Sequence, residues 1–213
     1  TGEIRRSATY PTRSALLGLL AAALGIRREQ EEDLAALGQG VRFAVKQLSP
    51  GVLMQDYHTA QVPGQDRKAL RLTRQDELSV PKDKLHTILS TREYRCNGYW
   101  KVAVAADSDS PWSLEDLAEA LRRPRFPLYL GRKACPPAAP LAPIPVEAEG
   151  IRGALDTAFP GLTGLEEGLE RRLLGLTEEV AYAWEGDGGD IDPQETRHPQ
   201  DQPLHRGRWQ FTT

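Results

Sequence analysis

Tyr57 and His58 stand side by side in a polar stretch that also carries Lys82 and Lys84. A tyrosine and a histidine can act as general base and acid in metal-independent RNA cleavage, with a lysine stabilising the charged phosphorane. The same two rings can instead stack on a base and hydrogen-bond to it, or simply pack. Thr12, Arg13 and Ser14 precede an apolar run from Ala15 to Ile26. Hydroxyls and a guanidinium beside the free N–H groups of a helix start suit a phosphate; the plainer readings are a solvated arginine and, for Ser14, a helix cap. Tyr129, Arg132 and Lys133 flank Gly131, where a backbone without a side chain lets a polyanion come close. There the plain alternative is a turn with two solvated cations.

The elements that must position these groups follow from pattern. Ser14 is the expected N-cap of a helix from Ala15 to about Ile26, with Gly25 at its end. A second helical piece is expected over 29–37. Val41, Phe43 and Val45 alternate with polar residues and predict a strand over 41–48; a second strand is predicted over 99–106. Between them, 52–94 fits no standard element, and a protruding hairpin is one form it can take. Its cations include Arg67, Lys68, Arg71 and Arg74. Ser113 and Asp116 predict a capping box for a helix over 113–123, which Pro124 ends. Short strands are expected over 126–130, 181–184 and 206–211, a helix over 165–176, and extended chain over 135–145.

Composition limits the functional classes. The 213 residues are 39% hydrophobic and 27% charged, with a net charge of −3. That is a globular composition, and a weakly acidic total is compatible with a basic face. Two cysteines, Cys96 and Cys135, form no CxxC pair and lie in no Cys/His cluster, so reduced thiols and no zinc site are expected. The acidic stretch 185–195 shows no metal-ligand spacing and reads as a solvated loop. The apolar run near the start is too short to span a bilayer and passes into a charged helical pattern, so a buried helix is expected rather than a signal peptide. No cofactor and a cytoplasmic location are expected.

Four blocks in order carry a resemblance. They are Tyr-Pro-Thr-Arg-Ser-Ala-Leu-Leu-Gly-Leu-Leu at 10–20, Gln-Asp-Tyr-His-Thr at 55–59, Thr-Arg-Glu-Tyr-Arg-Cys at 91–96, and Arg-Pro-Arg-Phe-Pro-Leu-Tyr-Leu-Gly-Arg-Lys-Ala-Cys-Pro at 123–136. Together they resemble the Cas-five family of CRISPR-associated proteins, as found in type I-E Cascade complexes. The C-terminal third resembles it loosely, through Arg208-Trp-Gln-Phe211. The resemblance implies an α+β chain. A ferredoxin-like (RRM-like) RNA-binding domain over 1–136 would carry a long β-hairpin thumb at about 52–94, and a small C-terminal β region would follow over 137–213. It implies a non-catalytic role in antiviral defence: binding the 5′ handle of CRISPR RNA and capping the backbone filament. It implies as partners CRISPR RNA, the Cas-seven family backbone subunit and the large subunit, with target DNA reached through the complex and no membrane. The RNA-binding residues it favours are Arg13, Ser14, Tyr57, His58, Arg92, Tyr129, Arg132 and Lys133, with no catalytic or metal residue. The family's leading strand has no counterpart here, so a missing N-terminal segment is expected. The alternative activity is processing of precursor CRISPR RNA by a metal-independent endoribonuclease.

Overall fold

The computed structural model describes residues 4–65 and 70–196, and the backbone of 203–205 and 210–211. Arg67, Lys68 and Trp209 lie outside the described residues. The first half of the chain contains β1 (Ile4–Arg5), α1 (Arg13–Leu24), α2 (Glu31–Gly40), β2 (Val41–Ser49), β3 (Val52–Pro63), α3 (Arg74–Leu78) and β4 (Leu85–Cys96). The second half contains β5 (Tyr99–Ala106), α4 (Leu114–Arg122), α5 (Ile151–Asp156), α6 (Glu167–Leu173), β6 (Ala181–Trp184), β7 (Pro203–His205) and β8 (Gln210–Phe211). The class is α+β with small sheets. The chain forms two compact units: residues 1–7 with 52–96, and residues 8–51 with 97–213.

The larger unit is built on an antiparallel sheet in the order β5-β2-β6. β2 pairs with β5 from Val41 opposite Ala106 to Ser49 opposite Tyr99. One face of β2 presents Val41, Phe43 and Val45 to Leu16, Leu20 and Ala21 of α1, Leu37 of α2 and Leu117 of α4. Every other residue of a strand shares a face, so this alternation alone dictates which side the helices cover. α5 also packs against β2 and β5 and buries Leu155.

α1 starts two positions before the expected Ala15, at Arg13. Its N-cap is Thr12, in an extended conformation after Pro11, and Ser14 lies inside the first turn. The two hydroxyls hydrogen-bond to each other at 3.1 Å, and the Thr12 side chain caps no backbone N–H. The far end closes as expected: Gly25 adopts φ 81°, and Ile26 N–H donates to the Ala21 carbonyl at 2.8 Å. α4 has the expected capping box, with the Ser113 hydroxyl accepting from Asp116 N–H at 3.1 Å and Asp116 accepting from Ser113 N–H at 3.0 Å. No strand forms over 126–130. Pro127 cannot donate to a ladder. Instead, the N–H groups of Arg125 and Phe126 satisfy the Ala23 and Ala22 carbonyls at the end of α1, at 3.0 and 3.1 Å.

The smaller unit is a long hairpin. β3 and β4 pair without a register break from Val52 opposite Cys96 to Pro63 opposite Leu85. β1 adds to β4 in parallel, with Ile4 opposite Thr91. Beyond it, the Ser7 hydroxyl donates to the Glu93 carbonyl at 2.5 Å. α3 lies near the tip, closed by a Thr73–Asp76 capping box, and the Arg74 guanidinium donates to the Gln61 carbonyl.

Candidate nucleic-acid interface

Residues 124–135 run back along α1, opposite to its direction. They begin at its C-terminal carbonyls and reach its first turn at Gly131. A Cβ placed on Gly131 would sit 3.6 Å from the Ala15 Cβ. Two segments far apart in sequence, Thr12-Arg13-Ser14 and Gly131-Arg132-Lys133, therefore meet. Gly131 takes φ 73°, in the region that favours glycine. Three backbone bonds fix the turn: Leu130 N–H to the Cys135 carbonyl at 2.9 Å, Arg132 N–H to Leu130 at 2.8 Å, and Cys135 N–H to Arg132 at 2.8 Å. Leu130 packs against the core and anchors it. Lys133 is exposed; Tyr129 and Arg132 are half-buried.

The first turn of α1 contains no acidic residue, and its N-cap provides no side-chain acceptor. No carboxylate of the turn itself or of its N-cap thus competes for its leading N–H groups, and a cation-bearing turn lies beside them. That is the electrostatics of an anion site.

Arg13 faces inward. Its guanidinium pairs with the Glu185 carboxylate, donates to the Gly38 carbonyl, and reaches the Val41 carbonyl at 3.2 and 3.3 Å. It also lies 5.7 Å from the centre of the Phe43 ring. Glu185 in turn accepts from Phe43 N–H at 3.2 Å. One side chain thus ties the start of α1 to the α2–β2 junction and to the residue after β6. In the sequence Glu185 is one of many acids, and its place directly after the predicted strand 181–184 is the usable signal of this role.

The hairpin holds the remaining candidates. His58 and Arg92 share one face, with Asp56 directly opposite Arg92. His58 Nε2 shares a hydrogen bond with the Asp56 carboxylate. The Nε atoms of Arg92 and Arg95 are buried and have no hydrogen-bond partner among the described residues. Tyr57, 63% exposed, is on the opposite face, because neighbours on a strand point to opposite sides. Tyr57 and His58 therefore do not face one another across a strand face as a base–acid pair would, and this geometry does not favour the ribonuclease alternative. Asp56 was not foreseen, although residues two apart on a strand share a face. Among the described residues, no group of three or more His, Cys, Asp or Glu side chains gathers as metal ligands would.

The family model described as "CRISPR-associated protein (Cas_Cas5)" matches residues 1–213. The chain belongs to the Cas-five family. It is 34% identical over 137 residues to the CRISPR system Cascade subunit CasD of Escherichia coli strain K12, a match covering 64% of this chain and 59% of that protein. It therefore spans less than two thirds of that relative's length. A chain from a solved CRISPR RNA-guided surveillance complex is 30% identical, with a TM-score of 0.46, covering 66% of this chain and 54% of the other. A second solved chain, titled as a Cas protein, is 29% identical with a TM-score of 0.34, covering 67% and 56%. No helix among the described residues of this Cas-five protein is long and apolar enough to cross a membrane.

Proposed function

We propose that this Cas-five protein is a non-catalytic RNA-binding and assembly subunit of a CRISPR surveillance complex. It holds the 5′ handle of CRISPR RNA and caps one end of the backbone filament. The observation that carries this reading is the meeting of the Gly131-Arg132-Lys133 turn with the uncapped first turn of α1. The backbone N–H groups there, Ser14, Tyr129, Arg132 and Lys133 receive handle phosphates and sugars, while Arg13 positions the helix start from inside. The 52–96 hairpin is the thumb. It passes between RNA segments and touches the neighbouring Cas-seven family subunit; its exposed Tyr57 supplies a stacking face, and His58 and Arg92 supply polar contacts. The large subunit is the further protein partner, and target DNA is met through the assembled complex.

The test is titration of handle RNA at several salt concentrations. Loss of each phosphate contact on a single strand lowers the slope of log K against log salt by about 0.7. Arg132→Ala and Lys133→Ala are each expected to flatten the slope by that amount; an unchanged slope in both would refute the interface. Precursor RNA is expected to stay intact with or without EDTA. Specific cleavage that disappears in His58→Ala would overturn the non-catalytic reading.

A further inference from the structure

A second cationic cluster lies in the larger unit, away from the first turn of α1. Tyr182, Lys46 and Lys101 stand in one row across β6, β2 and β5, because Lys46 is directly opposite both others in register. The three therefore share a face of the sheet. Asp156, at the end of α5, lies over this row. Its carboxylate accepts from Lys46 Nζ at 2.5 Å and from the Tyr182 hydroxyl at 2.7 Å. Lys101 Nζ donates to the Thr157 carbonyl at 3.0 Å and sits 5.6 Å from the Phe159 ring centre. Arg152, one helical turn before Asp156, lies 5.7 Å from the Tyr182 ring.

Three cations thus stand around the Asp156 carboxylate, and the Arg152 N–H also donates to the Asp190 carboxylate at 3.1 Å. A structural clamp for α5 needs only the Lys46–Asp156 pair; Lys101 and Arg152 are in excess of it. Burial first, and then the adjacent Lys46 charge, hold the Lys101 ammonium below its ordinary value, and Asp156 offsets only part of this. The three cations of the cluster outnumber its two carboxylates, Asp156 and Asp190. The cluster is also open, since the Asp156 side chain is 40% exposed and Phe159 is 39% exposed. Aromatic faces interleaved with cations on a sheet are the chemistry that holds a single strand, by phosphate charge and base stacking.

We infer that Lys101 and Arg152, beside the Lys46–Asp156 pair, form a second phosphate site for a nucleic-acid single strand, with Phe159 as the stacking platform. The site is separate from the handle interface and does not depend on it. It is tested in the full chain carrying Arg132→Ala and Lys133→Ala, so that the first interface is silenced. The probes are short labelled oligouridylate RNA and oligothymidylate DNA, followed by anisotropy across a salt series. Lys101→Met and Arg152→Met are each expected to weaken binding and lower the salt slope by about 0.7. Phe159→Ala is expected to weaken binding with the slope unchanged. Asp156→Asn, which removes the competing carboxylate, is expected to tighten it. Binding of either probe with these responses supports the site, and which probe binds identifies the strand. No binding of either probe, or slopes unchanged in Lys101→Met and Arg152→Met proteins that melt like their parent, would overturn it. Unchanged handle binding in the parent double variant would refute the interface at α1 and leave this inference standing.

Discussion

Arg13→Ala separates an arginine that builds the interface from one that touches RNA. In the folded protein its side chain is 16% exposed and that of its partner Glu185 is 28% exposed. Removing one partner of a fully buried pair costs about 3–5 kcal/mol, because the other charge is stranded. Exposed pairs are worth about 0–1 kcal/mol. At these exposures an intermediate cost of about 2–3 kcal/mol is expected, including loss of the Phe43 contact and of the donors to Gly38 and Val41. For a chain of this size that corresponds to a fall in Tm of roughly 4–12 °C. Glu185→Gln keeps the arginine charge but breaks the ion pair, so it should lose a comparable share of stability. Lysine lacks the planar fork and should rescue Arg13→Ala only in part. Denaturant melts of the three variants give the stability arm; handle titrations give the binding arm. Both Arg13→Ala and Glu185→Gln should weaken handle binding at every salt concentration without flattening the slope, because both loosen the helix start. An Arg13→Ala protein as stable as wild type with a slope lower by about 0.7 would refute this reasoning and make Arg13 a direct phosphate contact.

Acid should weaken the C-terminal part of the larger unit. Hydrogen bonds from the Thr163 hydroxyl, then from the N–H groups of Thr163 and Leu162, hold the Glu170 carboxyl below its usual value. Its stabilisation is therefore present above the ordinary glutamate value of about 4.3 and is lost as pH falls through the lower folded value; Glu170→Gln should remove that pH-dependent component in acid melts. The hairpin should gain protection from hydrogen exchange on joining RNA and the backbone subunit, because Tyr57, Leu70 and Leu72 are 63%, 83% and 80% exposed in the free chain. Removing its tip, about Pro63 to Pro81, should leave the melt of the larger unit unchanged and impair assembly; strong protection of 52–96 in the free chain would make it core rather than thumb.

The readable elements were those with one buried face. Val41, Phe43 and Val45 repeat at period two because one side of β2 meets three helices, and the strand is observed over 41–49. Residues 99–106 and 181–184 are strands with the predicted bounds. Ser113 and Asp116 marked the start of α4 because a capping box is local chemistry, complete within four residues. β3 and β4 carried no such mark. A ribbon of two long strands exposes both faces, so Gln55, Asp56, Tyr57, His58 and Thr59 show no apolar alternation, although they pair in unbroken register. The same composition permits either a strand or a loop, and long-range pairing decides.

The candidate site was legible as two fragments, and its assembly was not. Nothing near Gly131 says that the chain after Pro124 turns back along α1; that course is set by the carbonyls left open at the end of the helix, which the N–H groups of Arg125 and Phe126 fill. Once those two bonds form, the short path from Phe126 to Gly131 brings the turn to the other end of the helix, beside Ala15. Arg13 shows the opposite case. Its residue type suggested a phosphate, while its surroundings supply a carboxylate and two carbonyls from segments distant in sequence. A cation satisfied within the fold fixes the helix start, and the exposed charge nearby is that of Lys133 in the turn. In the proposed interface the phosphate contact expected of Arg13 falls instead to Arg132, Lys133 and the backbone of the first turn, while Arg13 holds the helix start in place.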